Sequence, residues 1–250
     1  MSADRPFVLT IAGLDPSGGA GILADIKTFE QHKVTGFAIS TANTIQTENQ
    51  FYEIQWTDLS FVIRSIETLF ANYKISAVKI GIVASLFDLN QILSTIKKLS
   101  PSTKIVWDPV LKSTTKFEFM NIESHMNLHN ILSKIDLITP NYDEMAILFP
   151  DTDLKSFWKE NQMPTRILLK GGHNKTALGT DLLFLENEIL ELNPSNKNCF
   201  EKHGSGCVLS SAIASNLALN QPLFEACKNA KIYIENYLSS TTTLIGYHYV

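Results

Sequence analysis

The sequence predicts an α/β protein on a doubly wound, mostly parallel sheet, and three observations carry that expectation. Apolar, β-rich runs alternate with stretches of helical periodicity along the chain. Glycine, proline or polar residues stop the runs, as they do at strand ends. No linker, low-complexity tract or internal repeat breaks the alternation, so residues 1–250 read as one domain.

The elements follow in order. Phe7 to Ala12 reads as a buried strand, followed by a glycine-rich loop and a helix from about Gly21 to Lys33. Gly36 to Thr44 reads as the second strand. Between Asp58 and Tyr73, Leu59, Val62, Ile63, Ile66, Leu69 and Phe70 share one helical face. Ala77 to Gly81 is a strand, Leu86 to Leu99 a helix, and Lys104 to Asp108 a strand stopped at Pro109. Asp136 to Thr139 is a strand stopped by Pro140, and a helix starts at Asn141, a residue suited to the cap. Arg166 to Lys170 runs into Gly171-Gly172. Asp181–Leu185 and Glu188–Leu192 form a hairpin about Glu186-Asn187. Two helices close the chain, from about Gly206 to Leu219 and from Leu223 to Ser239.

Composition narrows the function. The chain has 250 residues, 44% hydrophobic and 18% charged, enough for a substantial core. Its formal charge of −4 builds no basic field, which argues against a nucleic-acid partner. The apolar runs are short and broken, so no membrane span is expected, and Met1 to Pro6 lacks a signal pattern. The three cysteines, Cys199, Cys207 and Cys227, lack metal-ligand spacing and suit free thiols in a reducing, cytoplasmic setting.

Four motifs carry chemistry. Gly13-Leu-Asp-Pro-Ser-Gly-Gly-Ala-Gly21 places four glycines between a strand and a helix, where a ligand can approach the backbone. It is no Walker A loop, having no terminal lysine. Its match to a dinucleotide fingerprint begins seven residues past the strand. Asn141-Tyr-Asp-Glu144 can hold hydrated Mg²⁺ on one helix face, or simply cap the helix with acidic residues. Lys170-Gly-Gly-His173 can bring a lysine to a phosphate, or be a lysine at a turn. In His203-Gly-Ser-Gly-Cys207, backbone N–H groups at a helix start make an anion hole. Cys207 sits where thiol pKa values tend to fall and can take a proton, or it is a small apolar filler. Asp15, Gln46, Ile82, Asp108, Asn141, Lys170 and Gly171 all fall at or just after strand ends, where such sheets bind ligands.

Together these motifs resemble the ribokinase-like superfamily and, within it, the hydroxymethylpyrimidine/phosphomethylpyrimidine kinases of thiamine biosynthesis. The residues that carry the resemblance are Leu9–Ile22, Ala24–Phe29, Val78–Gly81, Asp108–Val110, Ile138–Asn141, Lys170–His173 and His203–Cys207, spread over almost the whole chain. The resemblance implies a three-layer sandwich and ATP-dependent phosphorylation of a pyrimidine alcohol and of its monophosphate. It places the aminopyrimidine at Gly13, Ala20, Asp25, Gln46, Ile82 and Val110, with Asp25 holding the hydroxymethyl or amino group. Lys170, Asn141 and Ser205 meet ATP, and Glu144 with Asp108 serves Mg²⁺. Gly204, Ser205 and Gly206 form the anion hole. Cys207 stands where many sugar kinases of the superfamily carry an aspartate base. A homodimer is also implied.

The chain departs from the family at several points. Ile82 stands where Met is commoner, Lys202 and Ser205 replace two threonines, Lys112–Phe117 lacks the usual glycine, and 150–165 is short. The rival readings are a pyridoxal/pyridoxine kinase, whose final turn more often ends in Asp, a non-catalytic binding protein on the same fold, and a dinucleotide oxidoreductase.

Overall fold

The architecture was described from a computed structural model, which covers residues 5–112, 117, 119–120, 128–150, 156, 158, 165–173, 177–186, 188–195 and 197–249. Nine strands form one sheet: β1 Phe7–Leu14, β2 Thr35–Gln46, β3 Phe51–Trp56, β4 Ile75–Ile80, β5 Lys104–Trp107, β6 Leu137–Ile138, β7 Arg166–Leu169, β8 Asp181–Phe184 and β9 Ile189–Leu192. Their spatial order is β3-β2-β1-β4-β5-β6-β7-β8-β9. The six strands from β2 to β7 run parallel. β3, β8 and β9 pair antiparallel at the two edges.

Helices cover both faces, so the parallel strands are apolar on both sides. α2 Leu59–Asn72, α3 Leu86–Leu99, α4 Leu128–Leu132 and α5 Tyr142–Leu148 cover one face. There Leu9, Ile11, Val78, Ile80, Ile105, Trp107 and Ile138 meet Val62, Ile66, Leu89, Ile92 and Met145. α1 Gly21–Gln31, α6 Ser205–Ala218 and α7 Leu223–Ser239 cover the other. There Val8, Ala77, Val106, Leu137 and Leu168 meet Ala24, Phe29, Val208, Ala212, Ile213 and Ile234. Neighbouring strand residues thus serve opposite layers, as the two-residue period of a strand requires. This is the three-layer α/β sandwich expected from the sequence.

The differences have local causes. β2 runs to Gln46 rather than Thr44 because β3 pairs back on it, Ala42 opposite Trp56 and Gln46 opposite Phe51. β3 was not anticipated, although Phe51, Tyr52, Ile54 and Trp56 are strand-forming types; it is short, half exposed and lies at a sheet edge. Short α4 was also unforeseen, since five residues show too little periodicity to register. Asn187, in the anticipated turn, and most of the 112–117 and 150–165 segments lie outside the described residues.

Candidate active site

The strand order reverses around β1, which lies between β2 and β4. The carboxyl ends of the parallel strands open there on a cavity of about 250 Å³. Its wall includes Gly13, Ala20, Gln46, Ile82, Asp108, Val110, Asn141, Glu144, Lys170, Gly204, Ser205, Gly206 and Cys207. Thirteen of the fourteen residues given a role by the resemblance therefore share one cavity, as does Asp15; Gly171, also expected on the rim, does not line it. A second depression, at the opposite ends of β5–β7, is lined by the Lys104–Asp136 and Arg166–Glu186 ion pairs and has no glycine loop.

The reacting end is built by α6. Gly204 caps it with φ +72°, and a Cβ there would stand 2.1 Å from the Gly19 carbonyl oxygen. Glycine is thus required both by conformation and by close approach of the two glycine loops. Ser205, Gly206 and Cys207 form the first turn; Ser205 N donates to the Lys202 carbonyl at 3.4 Å, and the Gly206 and Cys207 N–H groups have no helical carbonyl four residues back. They face the cavity with the positive end of a 14-residue helix.

Asp15 locks the two loops together. Its carboxylate accepts from Ser17 N (2.9 Å), Ser17 Oγ (2.7 Å), Ala20 N (2.9 Å) and His203 Nε2 (2.9 Å). Burial pushes the Asp15 carboxyl upward, but the His203 and Ser17 hydrogen bonds outweigh it and hold it below its usual range. The chain's C-terminal segment supports the same corner, where His203 N donates to the Leu244 carbonyl at 2.9 Å.

Lys170, at the end of β7, donates to Asp108 Oδ1 at 2.8 Å and lies 3.6 Å from Glu144 Oε2. Burial pulls its ammonium down, but Asp108 and then Glu144 reverse this and hold it above the ordinary lysine range. Asp108 also accepts from Thr139 (3.1 Å) and Ser210 (3.4 Å). Burial raises its carboxyl, yet Lys170 and Lys79 bring it below the ordinary value. Asn141 and Glu144 form a reciprocal capping box: Asn141 Oδ1 accepts from Glu144 N at 2.8 Å, and Glu144 Oε2 from Asn141 N at 2.7 Å. Burial, the largest influence on Glu144, keeps its carboxyl raised despite Lys170.

Among the described residues, no cluster of three metal-ligating side chains exists. The donor chemistry here is one cation, two carboxylates and a main-chain cradle. It fits Mg²⁺ carried on phosphates and held by one or two carboxylates and water, rather than an all-protein cage.

Two expectations need correction. Asp25 does not line the cavity. It is fully buried on α1, where its carboxylate accepts from Thr10 Oγ1 (2.6 Å), Ser211 Oγ (2.7 Å) and Lys79 Nζ (2.9 and 3.1 Å). The Cys207 thiol is not acidified by the helix terminus. Burial pushes it up to about 11, against the lowering influence of Lys79. Desolvation is the largest influence on the thiol at this site.

The cavity wall also holds residues to which the motif reading gave no role of their own. Lys79, His203, Lys112 and Phe119 line the cavity. Lys79 had a signal: a lysine inside an otherwise apolar buried strand is rare unless paired. Phe119 meets the Phe51 ring edge-on and lies tilted against Phe117, a contact between distant segments with no sequence signature. Lys202, one of the departures, is buried and donates to the Thr241 carbonyl at 2.6 Å, bracing the C-terminal segment.

A cradle of main-chain donors at one end of an apolar slot suits phosphoryl transfer to a small alcohol, and solved structures of that class share the fold. The crystal structure of a phosphomethylpyrimidine kinase from Clostridium difficile superposes with a TM-score of 0.75 at 31% identity, over 92% of this chain and 98% of that one. An ADP complex of Bacillus subtilis pyridoxal kinase gives 0.77 at 26%, over 95% and 93%. The fold is that of a ribokinase-like small-molecule kinase. The family model described as phosphomethylpyrimidine kinase matches residues 15–249. The hydroxymethylpyrimidine/phosphomethylpyrimidine kinase of Aquifex aeolicus is 33% identical over 247 residues, spanning 95% of this chain and 96% of that protein. The chain belongs to the phosphomethylpyrimidine kinase family.

Proposed function

We propose that the protein transfers the γ-phosphoryl group of ATP to the hydroxymethyl oxygen of 4-amino-5-hydroxymethyl-2-methylpyrimidine, and then phosphorylates the resulting monophosphate. The observation that carries this reading is the shared cavity. Gln46, Ile82 and Val110 offer an amide and two apolar walls to a flat ring, and Cys207 and Lys170 close the same space from the other side. Gln46 Nε2 donates to Thr44 Oγ1 at 2.9 Å, which leaves its carbonyl oxygen and one N–H for the ring.

In this reading the N–H groups of the Ser205–Cys207 turn and the Lys170 ammonium surround the transferring phosphoryl group, where charge builds. Glu144 and Asp108 are the carboxylates that would hold Mg²⁺, which supplies charge neutralisation of the phosphates. The apolar wall excludes water and orients the acceptor oxygen for in-line attack. Cys207 rests as a thiol at neutral pH, since burial raises it to about 11. Positioning and charge therefore carry most of the acceleration, and any proton transfer to sulfur comes late. A homodimer is part of the same proposal, supported by the family resemblance and checked by light scattering.

Turnover on the hydroxymethylpyrimidine, on its monophosphate and on pyridoxine, each with ATP·Mg²⁺, tests the substrate. Turnover on pyridoxine alone would favour the pyridoxal kinase reading, which the Bacillus subtilis fold match keeps as the alternative. No ATP consumption with any of the three would favour a non-catalytic binding protein. Lys170→Ala removes a charge-assisted contact of about 1.5–3 kcal/mol, so the KM for ATP is expected to rise about tenfold or more. Unchanged ATP kinetics would remove Lys170 from the phosphate site. Base catalysis is worth about 10²–10⁴ in rate. Near-wild-type turnover in both Cys207→Ala and Cys207→Ser would leave Cys207 as a wall of the anion hole only.

A further inference from the structure

The pair formed by Lys79 and Asp25 has no place in the mechanism above, yet it lies directly under the reacting end. Lys79 is completely buried in a parallel strand. A charge in that position is costly unless paired, and losing one partner of such a pair is more costly still. Its placement follows from register. Lys79 on β4 stands opposite Thr10 on β1, and both side chains rise to the carboxylate of Asp25.

Two helices meet above them one turn apart. On α1, Gly21 and Asp25 are four residues apart and share a face; on α6, Cys207 and Ser211 do the same. The Gly21 N–H faces the Cys207 sulfur, and one turn below, Ser211 Oγ donates to Asp25 Oδ1 at 2.7 Å. The Lys79 ammonium is fastened to both Asp25 oxygens, so it is held one helical turn beneath Cys207 and lines the cavity floor beside Gly81. Among the described residues it makes no direct hydrogen bond to the sulfur, so its influence passes through the field.

We propose that Lys79 is a positioning residue of the transfer: clamped by Asp25, it favours the anionic form of Cys207, while the Asp25 carboxylate opposes it and sets how far that goes. The other charged or titratable groups facing the sulfur are Asp108 after β5, Lys170 after β7 and Tyr237 on α7. Asp108 opposes the anion, as Asp25 does, and Lys79 favours it. The proposal rests on Cys207 standing at the reacting end, but its test needs no substrate.

The rate of Cys207 alkylation by iodoacetamide at pH 8 is read by peptide mass spectrometry. A Cys199→Ala background removes the exposed thiol; Cys227 is buried. A thiol whose pKa rises by one unit is alkylated about threefold more slowly, because the more basic thiolate is also the better nucleophile. Lys79→Met is expected to slow alkylation by about threefold or more. Asp25→Asn is expected to speed it, and Lys79→Arg to restore it to near wild type. A loosened helix contact would speed both variants together. That result, or unchanged rates in correctly folded Lys79→Met and Asp25→Asn, overturns the proposal. If Lys79→Met does not fold, Asp25→Asn is compared with Asp25→Asn/Lys79→Met, which leaves no unpaired carboxylate; the same loss of rate is expected, and equal rates overturn the idea. Because the readout is alkylation, absence of pyrimidine phosphorylation would count against the proposed substrate and leave this result standing.

Discussion

Asp15 shows how much one side chain can organise. It binds two loops that are 188 residues apart in sequence, through Ser17, Ala20 and His203. Its carboxyl is held below the usual range by His203 and Ser17 against the opposing effect of burial. A carboxyl depressed in the folded state contributes stability above its unfolded value of about 3.9, and that contribution is lost as pH falls below it. Asp15→Asn should therefore lose about 1–3 kcal/mol in urea unfolding at pH 7. Its loss of stability on acidification below about pH 4 should be shallower than that of the wild type. The sequence placed Asp15 in a glycine-rich loop on the rim but not its role as a lock, because its partner His203 comes from the far end of the chain. The anticipated residues that line the cavity were legible for a simpler reason. Each follows a strand or opens a helix, so its position on the rim is dictated locally. Asp25 and Cys207 were misread on the side that depends on surroundings: their chemistry is decided by burial and by Lys79, which spacing does not report.

At the scale of elements, the starts of α6 and α5 are built differently. α6 has no side-chain cap and begins at a left-handed glycine pressed on the Gly19 carbonyl. Gly204→Ala must move one loop off the other, and it should abolish turnover while lowering the melting temperature. A variant with wild-type kinetics would show that the loops do not need this approach. α5 begins with the Asn141–Glu144 capping box, which also presents Glu144 to Lys170. Asn141→Ala should cost about 1 kcal/mol of stability, measurable by thermal unfolding. If it weakens ATP use as well, the cap and the phosphate site are one structure, which the reading of Asn141-x-x-Glu144 left as alternatives. The helices and parallel strands could be read from periodicity and their stops. β3 and α4 were not: one is a short, half-exposed edge strand and the other is barely longer than a turn.

At the scale of the molecule, the site exists because the strand order turns at β1 and brings the ends of six strands to one rim. Ligand binding there should report on the whole fold. ADP at about 100 times its Kd should add about 2.7 kcal/mol, a rise on the order of 5–10 °C in melting temperature. Lys170→Ala should lose about half of that rise or more at the same ADP concentration. An equal rise in both proteins would place the nucleotide elsewhere. The sequence alone determined the layer architecture, the rim and the motif residues on it. Hydrophobic period, glycine and proline stops and helix caps act over a few residues, so they are written locally. Only the tertiary structure decided the charge states and couplings: that Asp25 serves Lys79 rather than the cavity, that Asp15 ties His203 to the glycine loop, and that burial raises the Cys207 thiol. Those properties depend on which distant segments exclude water from a group and which charges they bring against it.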